Sequence, residues 1–380
     1  MDLVLDIVFL LTELFLLLLG LGFLTVIVFY VVDRTQTRHS LRRNFPVLAR
    51  FRYLFEKLGE FFRQYFFAMD REELPFNRAE RSWVYRAAKG ADTTVAFGST
   101  RDLKRPGTVI FVNCAYPMLE QDTQPPRPLV IGPATPNPFA TAAFFNVSGM
   151  SYGAISKPAV QALSRGAAKA GVWLNTGEGG LSQAHLDGGA DIVFQIGTAN
   201  YGVRDSLGQL DAVKLKAVAA HEQVRMFEIK LSQGAKPGKG GILPGAKVSG
   251  EIARIRAIPE GEDSISPNRN PAIDSGESLL DALAQVRDLT GKPVGFKAVI
   301  GDYQWLNELC ELIGQRGKAS APDFITIDSA DGGTGAAPAS LIDYMGLPLK
   351  ESLPAVSDIL TRHGLRDRIK IIASGKLTNP

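Results

Sequence analysis

The chain has 380 residues, 45% of them hydrophobic, with 42 Lys and Arg against 39 Asp and Glu. That length accommodates one barrel-sized domain of about 250 residues plus an appendage. Two cysteines, Cys114 and Cys310, exclude a disulfide framework and suit a reducing compartment, and neither they nor the scattered His39, His185, His221 and His363 have metal-ligand spacing, so no metal site is expected.

The net charge of +3 is unevenly spread, because residues 34–105 carry 16 Lys/Arg against 8 Asp/Glu. This basic stretch directly follows an apolar run, so its expected partner is an anionic lipid surface and not nucleic acid. Leu14 to Val32 reads LFLLLLGLGFLTVIVFYVV, 19 residues without a charge, enough to span roughly 30 Å of hydrocarbon as a helix. A cleavable signal peptide would need a basic leader, whereas Asp2, Asp6 and Glu13 stand there, so an uncleaved single-pass anchor is expected. Arg34, Arg38, Arg42, Arg43, Arg50 and Arg52 then place everything C-terminal on the cytoplasmic side. Residues 45–70 mix nine aromatics with basic side chains, which suits either a helix at the headgroup level or a helical layer packed on the main domain.

Residues 76–140 are rich in Pro, Gly and turn residues, with a hairpin predicted around Thr94 to Phe111. From Phe144 onward, short apolar strands alternate with helical stretches: AFFNVSG, VWLNTGEGG, DIVFQIG, MFEIKLSQG, VGFKAVIG, FITIDSADGG and IKIIASG. Such alternation predicts an α/β fold with a parallel sheet, a (β/α)8 TIM barrel whose glycine-rich strand ends form the C-terminal rim. Seven strands are countable and the eighth βα unit is missing before Pro380, so it is expected beyond that residue. The organisation is thus a transmembrane helix within 1–33, a juxtamembrane segment 34–75, an extension 76–143 and a barrel from 144 to 380.

The segment SQGAKPGKGGILPGAKV (232–248) is too rich in glycine to be helical and follows the strand ending at Lys230. Its glycines permit close backbone approach to a ligand, and Lys230, Lys236, Lys239 and Lys247 supply cations for an anionic one; a surface loop with solvated lysines is the plainer alternative.

Together, NTGEGG (175–180), GAKPGKGG (234–241), KVSGEIARIR (247–256) and DGGTGAAP (331–338) resemble, in this order, the FMN domain of glutamate synthases. The similarity runs from about Ser148 to Gly375, and with the apolar N-terminus it looks like the short membrane-anchored proteins of that family. The resemblance implies FMN at the barrel mouth and 2-oxoglutarate, or its imine, against the flavin. It implies that Lys230, Lys236 and Arg256 hold the two carboxylates and that Glu178 handles protons, its alternative being a helix cap. Ser148, Gly149, Met150 and Ser151 would lie along the isoalloxazine ring. Lys297 would face the flavin N1/O2 side, or else pair inside the barrel with Asp328 or Glu228. Ser374, Gly375 and Lys376, with Gly332 and Gly333, would take the phosphate, and Gln195 and Asp328 would be polar wall.

The implied activity is that of an oxidoreductase acting on CH–NH2 donors: hydride transfer from FMN to an imine of 2-oxoglutarate or a related 2-oxo acid with ammonia. An amine- or amino-acid-oxidising flavin enzyme and an inactive membrane-bound scaffold are the rivals. An iron–sulfur cluster is not supported by the residues present, but its cysteines would fall beyond Pro380, so their absence decides nothing. Asp2 leaves no N-terminal nucleophilic cysteine and no G-x-G-x-x-G follows a strand, so electrons and ammonia would come from an external donor protein or reductase and from solution. Two departures bear on the substrate: Ile242 stands where the family commonly has glutamine, and SPNRN (266–270) lacks the paired histidines of large synthases.

Overall fold

The computed structural model describes residues 2–232, 236 and 238–378. The chain divides into two compact units, Met1–Lys104 and Arg105–Pro380.

The first unit begins with a helix, Asp2–Thr35, of which Leu5–Thr35 is long and apolar enough to cross a membrane, its side chains exposed along nearly the whole length. Near its end the fully buried Asp33 accepts Arg50 Nε and Nη2, both at 2.8 Å, and the Val47 amide at 3.1 Å. After a short helix, Ser40–Asn44, this bidentate pair fastens the helix Leu48–Phe62, which continues as a π-helical turn over Arg63–Phe67. A further helix, Arg78–Ala88, starts at a capping box in which Asn77 and Glu80 satisfy each other's amides.

The hairpin expected around Thr94 to Phe111 does not form; residues 94–111 contain no strand. The reason is burial: Val95, Phe97, Ile110 and Phe111 are all exposed, and a two-stranded ribbon without an apolar surface beneath it is marginal in water. The hairpin lies further on, where β1 (Leu129–Ile131) pairs antiparallel with β2 (Phe139–Thr141) and both Ile131 and Phe139 are buried.

The body of the second unit is a six-stranded parallel sheet built from β3 (Leu174–Asn175), β4 (Ile192–Ile196), β5 (Val224–Lys230), β8 (Val294–Val299), β9 (Phe324–Asp328) and β10 (Lys370–Ser374), in that spatial order. A separate antiparallel pair, β6 (Ile242–Leu243) and β7 (Ser264–Ile265), lies in the long connection after β5. Of the seven strands predicted, six join the sheet, and the first is reduced to one parallel bridge of Val147 to Leu174. The sheet is curled into a half-barrel: the Ser148 hydroxyl beside one edge meets the Ser374 hydroxyl on the other at 3.1 Å, with no ladder between these edges among the described residues.

Connecting helices follow their local signals. Ser156, Asp211 and Ser275 accept the orphan amides that open Lys157–Ala170, Ala212–Ala219 and Gly276–Thr290, and the first and last of these end on left-handed Gly171 and Gly291. Strand alternation sorts the side chains. Ile192, Phe194, Phe227, Val294, Phe296 and Ile325 point outward into the main core under the helices. Val193, Met226 and Phe324 point inward and pack with Trp173 and the hairpin's Ile131 and Phe139, filling the base of the half-barrel. Above this base the inward positions turn polar.

Asp323, fully buried before β9, ties four segments: Oδ2 accepts the Val294 amide at 2.9 Å and Arg287 Nε at 3.2 Å, while Oδ1 lies 2.9 Å from Arg368 Nη2. Removing one partner of such a buried ion cluster costs about 3–5 kcal/mol. Asp323→Ala should therefore lower the chemical-denaturation midpoint by an amount equivalent to about 3 kcal/mol; a loss below about 1 kcal/mol would show the cluster to be dispensable.

Candidate functional site

Above the apolar base, successive strands contribute Asn175, Gln195, Glu228 and Thr326 to one buried layer. Gln195 stands in register with Glu228, and Glu228 with Gly295. A buried carboxylate is tolerated only when its lone pairs are engaged, and here they are. Asn175 Nδ2 and Gln195 Nε2 donate to Glu228 Oε1 at 2.9 and 2.7 Å, and the Thr326 hydroxyl donates to Oε2. The small Gly295 makes room for Phe324: a Cβ there would sit 2.6 Å from the ring.

One layer higher, Lys230 is in register with Lys297, and Lys297 with Thr326. Lys297 Nζ pairs with Asp328 Oδ2 at 3.3 Å, both side chains almost wholly buried. Burial alone would push the Lys297 ammonium down, but the charge of Asp328 and then of Glu228 outweighs it, so the pKa is raised and the lysine is held cationic. This is the intrabarrel pair named as an alternative for Lys297, and it leaves the ammonium at the inner face of the half-barrel.

The rim carries the remaining charges. The NTGEGG turn is threaded through neighbours that leave no room for side chains. A Cβ on Gly177, whose φ is +63°, would lie 2.6 Å from the Ser151 amide nitrogen, and one on Gly197 would lie 2.5 Å from Glu178 Cβ. The Asn175 side chain accepts the Gly177 amide at 2.9 Å, so the Glu228 layer and this turn are one network. Glu178 does not cap the next helix, Gln183–Leu186, which Ser182 and His185 cap; its Oε1 lies 3.5 Å from Lys230 Nζ. Lys236 is buried, donates to the Ala336 carbonyl, and has its pKa lowered, first by burial and also by Lys230 and Lys239, against the opposing pull of Glu178. The neighbouring Gly234, Ala235 and Pro237 of the loop lie outside the described residues.

Arg256 is buried and is positioned by the wall it forms. Its Nη1 donates to Ser264 Oγ and its Nη2 to the Tyr152 carbonyl, both at 3.0 Å, and its guanidinium carbon lies 5.1 Å from the centre of the Tyr201 ring. Burial lowers its pKa, while Tyr201 and Glu178 act in the opposite sense, and among the described residues its Nε has no hydrogen-bond partner. The charge of Glu178 thus acts on Lys236, Arg256 and Lys297 as well as on Lys230. Lys230, Lys236 and Arg256 all lie within electrostatic reach of Glu178, a set of cations suited to an anionic ligand.

The other rim residues gather at the two edges of the sheet. Gly149 lies against Asn175, Met150 and Ser151 lie against Gly177, and Ser148 meets Ser374. A Cβ on Gly375, at φ +123°, would approach Ser329 Oγ to 2.3 Å and the Gly332 amide nitrogen to 3.2 Å, so the glycines after β9 and β10 are neighbours. At Gly333 a Cβ would meet nothing within 4 Å, which leaves that backbone open. Ile242 projects from the β6–β7 ribbon opposite Ile265, both exposed, while Leu243 turns into the small core with Tyr152 and Ile252. Asn175, Tyr152, Tyr201 and Ser264 were not singled out from sequence, although Asn175 is a polar residue directly after the apolar Trp173 and Leu174 of a strand, which is the signal that identifies it.

The fold and site together define an α/β half-barrel protein with a polar interior and a cationic, glycine-rich rim. The conserved region of glutamate synthases matches residues 115–380, and the chain belongs to the glutamate synthase family. Over 390 aligned residues it is 40% identical to the glutamate synthase large subunit-like protein YerD of Bacillus subtilis, covering 92% of this chain and 74% of the relative. It is 37% identical over 231 residues to the archaeal glutamate synthase [NADPH] of Methanocaldococcus jannaschii, covering 60% of this chain and 42% of that protein. An archaeal-type glutamate synthase [NADPH] of Dehalococcoides mccartyi is 34% identical over 232 residues, covering 61% of this chain and 43% of its own length. The chain thus spans less than half of the archaeal-type relatives.

Two outcomes follow from the buried groups. Glu228→Ala leaves three donors unpaired in a dry interior, whereas Glu228→Gln keeps an acceptor for them; the alanine variant should be less stable than the glutamine variant by about 2 kcal/mol in denaturant titration. Equal stabilities would mean that the carboxylate does not organise the layer. His185 is fully buried and its pKa is lowered, chiefly by burial, from 6.5 to about 4. The unfolded chain therefore takes up a proton that the folded one refuses, so the stability from neutral His185 is complete above pH about 6.5 and is lost as the pH falls toward 4, about 3 kcal/mol in all. Melting temperatures measured from pH 7 to 4 should fall less steeply for His185→Asn than for the parent.

Proposed function

We propose that this protein is an FMN-dependent oxidoreductase of glutamate synthase type that reductively aminates 2-oxoglutarate, or a related 2-oxo acid, with ammonia. The observation that carries this reading is the presence of Lys230, Lys236 and Arg256 within electrostatic reach of Glu178 at the rim of a half-barrel whose inner layer is polar. The names of the archaeal relatives support it. We read the curl of the sheet as most of an eightfold barrel.

The residues present fit a flavin mononucleotide. Gly333 has open space where a side chain would be, Gly332 and Gly375 lie together, and Ser148 and Ser374 pair their hydroxyls across the seam. In this reading the backbone at Gly332, Gly333 and Gly375 with Ser374 holds the phosphate, and Ser148, Gly149, Met150 and Ser151 lie along the ring. Bound there, the flavin would supply two-electron hydride chemistry. Lys297, kept cationic by Asp328 and Glu228, offsets negative charge on the ring.

Lys230 and Lys236 bind the carboxylates of the 2-oxo acid, and their burial, full at Lys236 and nearly so at Lys230, strengthens each charge–charge contact by excluding water. Arg256, its Nε without a partner among the described residues, adds a third cation to that wall. Glu178 moves a proton to and from the substrate nitrogen through its carboxylate oxygens, one of which faces Lys230 Nζ. Electrons come from a separate donor protein or reductase. Leu5–Thr35 crosses the membrane, and the arginines that follow keep the rest of the chain on the cytoplasmic side.

Detergent-purified protein should show the visible absorption of bound flavin. After chemical reduction, that flavin should reoxidise only when 2-oxoglutarate and ammonia are both added. Lys236→Ala should weaken 2-oxoglutarate binding by about 10- to 100-fold, the loss of one buried charge-assisted contact of about 1.5–3 kcal/mol, while retaining the flavin. Folded protein without flavin would overturn the reading, and flavin that ignores 2-oxoglutarate and ammonia would overturn the substrate.

A further inference from the structure

The helix Leu48–Phe62 is sharply two-sided. Phe51, Leu54, Phe55, Leu58, Phe61 and Phe62 recur at the spacing that lines one helical face, and all six are exposed. Arg52, Glu56, Lys57, Glu60 and Arg63 occupy the other side. The π-helical turn after it carries the aromatic character onward, with Tyr65, Phe66 and Phe67 also exposed. Phe61 stacks loosely with its neighbours, its ring centre 5.0 Å from that of Tyr65 and 6.1 Å from that of Phe66. An uncovered apolar face of this length is not a stable surface in water.

What covers it is indicated by where the helix is pinned. Arg50, in its first turn, is held by Asp33 near the end of the long apolar helix, and the same guanidinium lies 4.0 Å from the centre of the Phe29 ring, a full turn nearer the middle of that helix. The start of the helix Leu48–Phe62 is thus fixed at the level where the apolar segment ends. Charge points the same way: residues 34–63 contain eight Lys/Arg and only two acids, Glu56 and Glu60. Cations placed immediately beyond an apolar segment complement anionic headgroups, and aromatic rings favour that layer.

We propose that Leu48–Phe67 is a second membrane contact, lying in the headgroup layer of an anionic bilayer with its Phe51–Phe62 face toward the acyl chains, and that the Asp33–Arg50 pair holds it there. The inference rests on the reading of Leu5–Thr35 as a membrane span. Its partner is the lipid surface itself, and its consequence is a rigid collar instead of a free tether where the chain leaves the membrane.

The test uses the full-length protein in nanodiscs containing anionic and zwitterionic lipid. In a Cys114→Ser background, a bimane label is placed singly at Phe15→Cys in the apolar helix, at Phe61→Cys on the proposed face, or at the fully exposed Phe97→Cys as an aqueous control. Quenching is read from spin-labelled lipid and from aqueous iodide. Labels at positions 15 and 61 should both be quenched several-fold more by lipid than the label at 97, with position 61 shielded from iodide. Adding Asp33→Ala should reduce lipid quenching at 61 and leave it unchanged at 15, and nanodiscs without anionic lipid should likewise reduce it at 61. A label at 15 untouched by lipid overturns the membrane reading and this proposal with it. Lipid quenching at 15 with position 61 open to iodide, or shielded from both quenchers as a protein-covered face would be, overturns this proposal alone.

Discussion

The second unit is organised around a carboxylate that has been taken out of water. Glu228 sits in the middle of the parallel sheet, and an unsolvated anion there is admissible only if every strand near it contributes a donor. Asn175, Gln195 and Thr326 are those donors, drawn from strands on both sides of β5. Satisfying Glu228 therefore fixes the relative heights of these strands more sharply than apolar packing does, because a one-residue slip would turn each donor outward into the core. The layers above inherit that alignment. Lys297 stands one inward position above Gly295, Lys230 one above Glu228, and the Asn175 side chain passes the order on to Gly177.

The rim extends this constraint by close approach. Gly149, Gly177 and Gly197 sit where backbone or side-chain atoms leave no space for a Cβ, so Glu178 is delivered to Lys230 by a turn wedged between two other segments. Arg256 is delivered differently, from the short helix Gly250–Arg256, and is braced by Ser264, Tyr152 and Tyr201. Preorganisation of this kind matters for an anionic ligand, since cations already held in place lose little freedom on binding.

Much of this was legible in the sequence, for identifiable reasons. The strands around Phe194, Phe227, Phe296 and Ile325 are short, mostly apolar runs broken at inward positions by Gln195, Glu228, Lys297 and Thr326, with helices between them, which is the signature of a parallel sheet covered on its outer face. Lys230 and Lys236 were identifiable as cations beside and within a glycine-rich loop that follows a strand, whereas Glu178 and Lys297 were picked out by the family resemblance, and the structure brings Glu178, Lys230 and Lys236 near one another. What escaped was whatever depended on long-range contact. The Thr94–Phe111 segment has alternating apolar residues but no surface to bury them, whereas the hairpin at 129–141 is short and unremarkable as sequence, and is made by Trp173, Met226 and Phe324 far along the chain. The first strand, AFFNVSG, was read as a full strand; only Val147 makes a ladder contact, because Ser148 and the residues after it are drawn away toward Gly177. Tyr152, Tyr201 and Ser264 were invisible as a set because three separate connections bring them to one guanidinium.

The plug made by Ile131 and Phe139 makes the half-barrel a vessel with a closed floor. The Glu228 layer therefore has an apolar underside, and it is the side turned toward the rim that carries Lys230, Lys297 and Asp328.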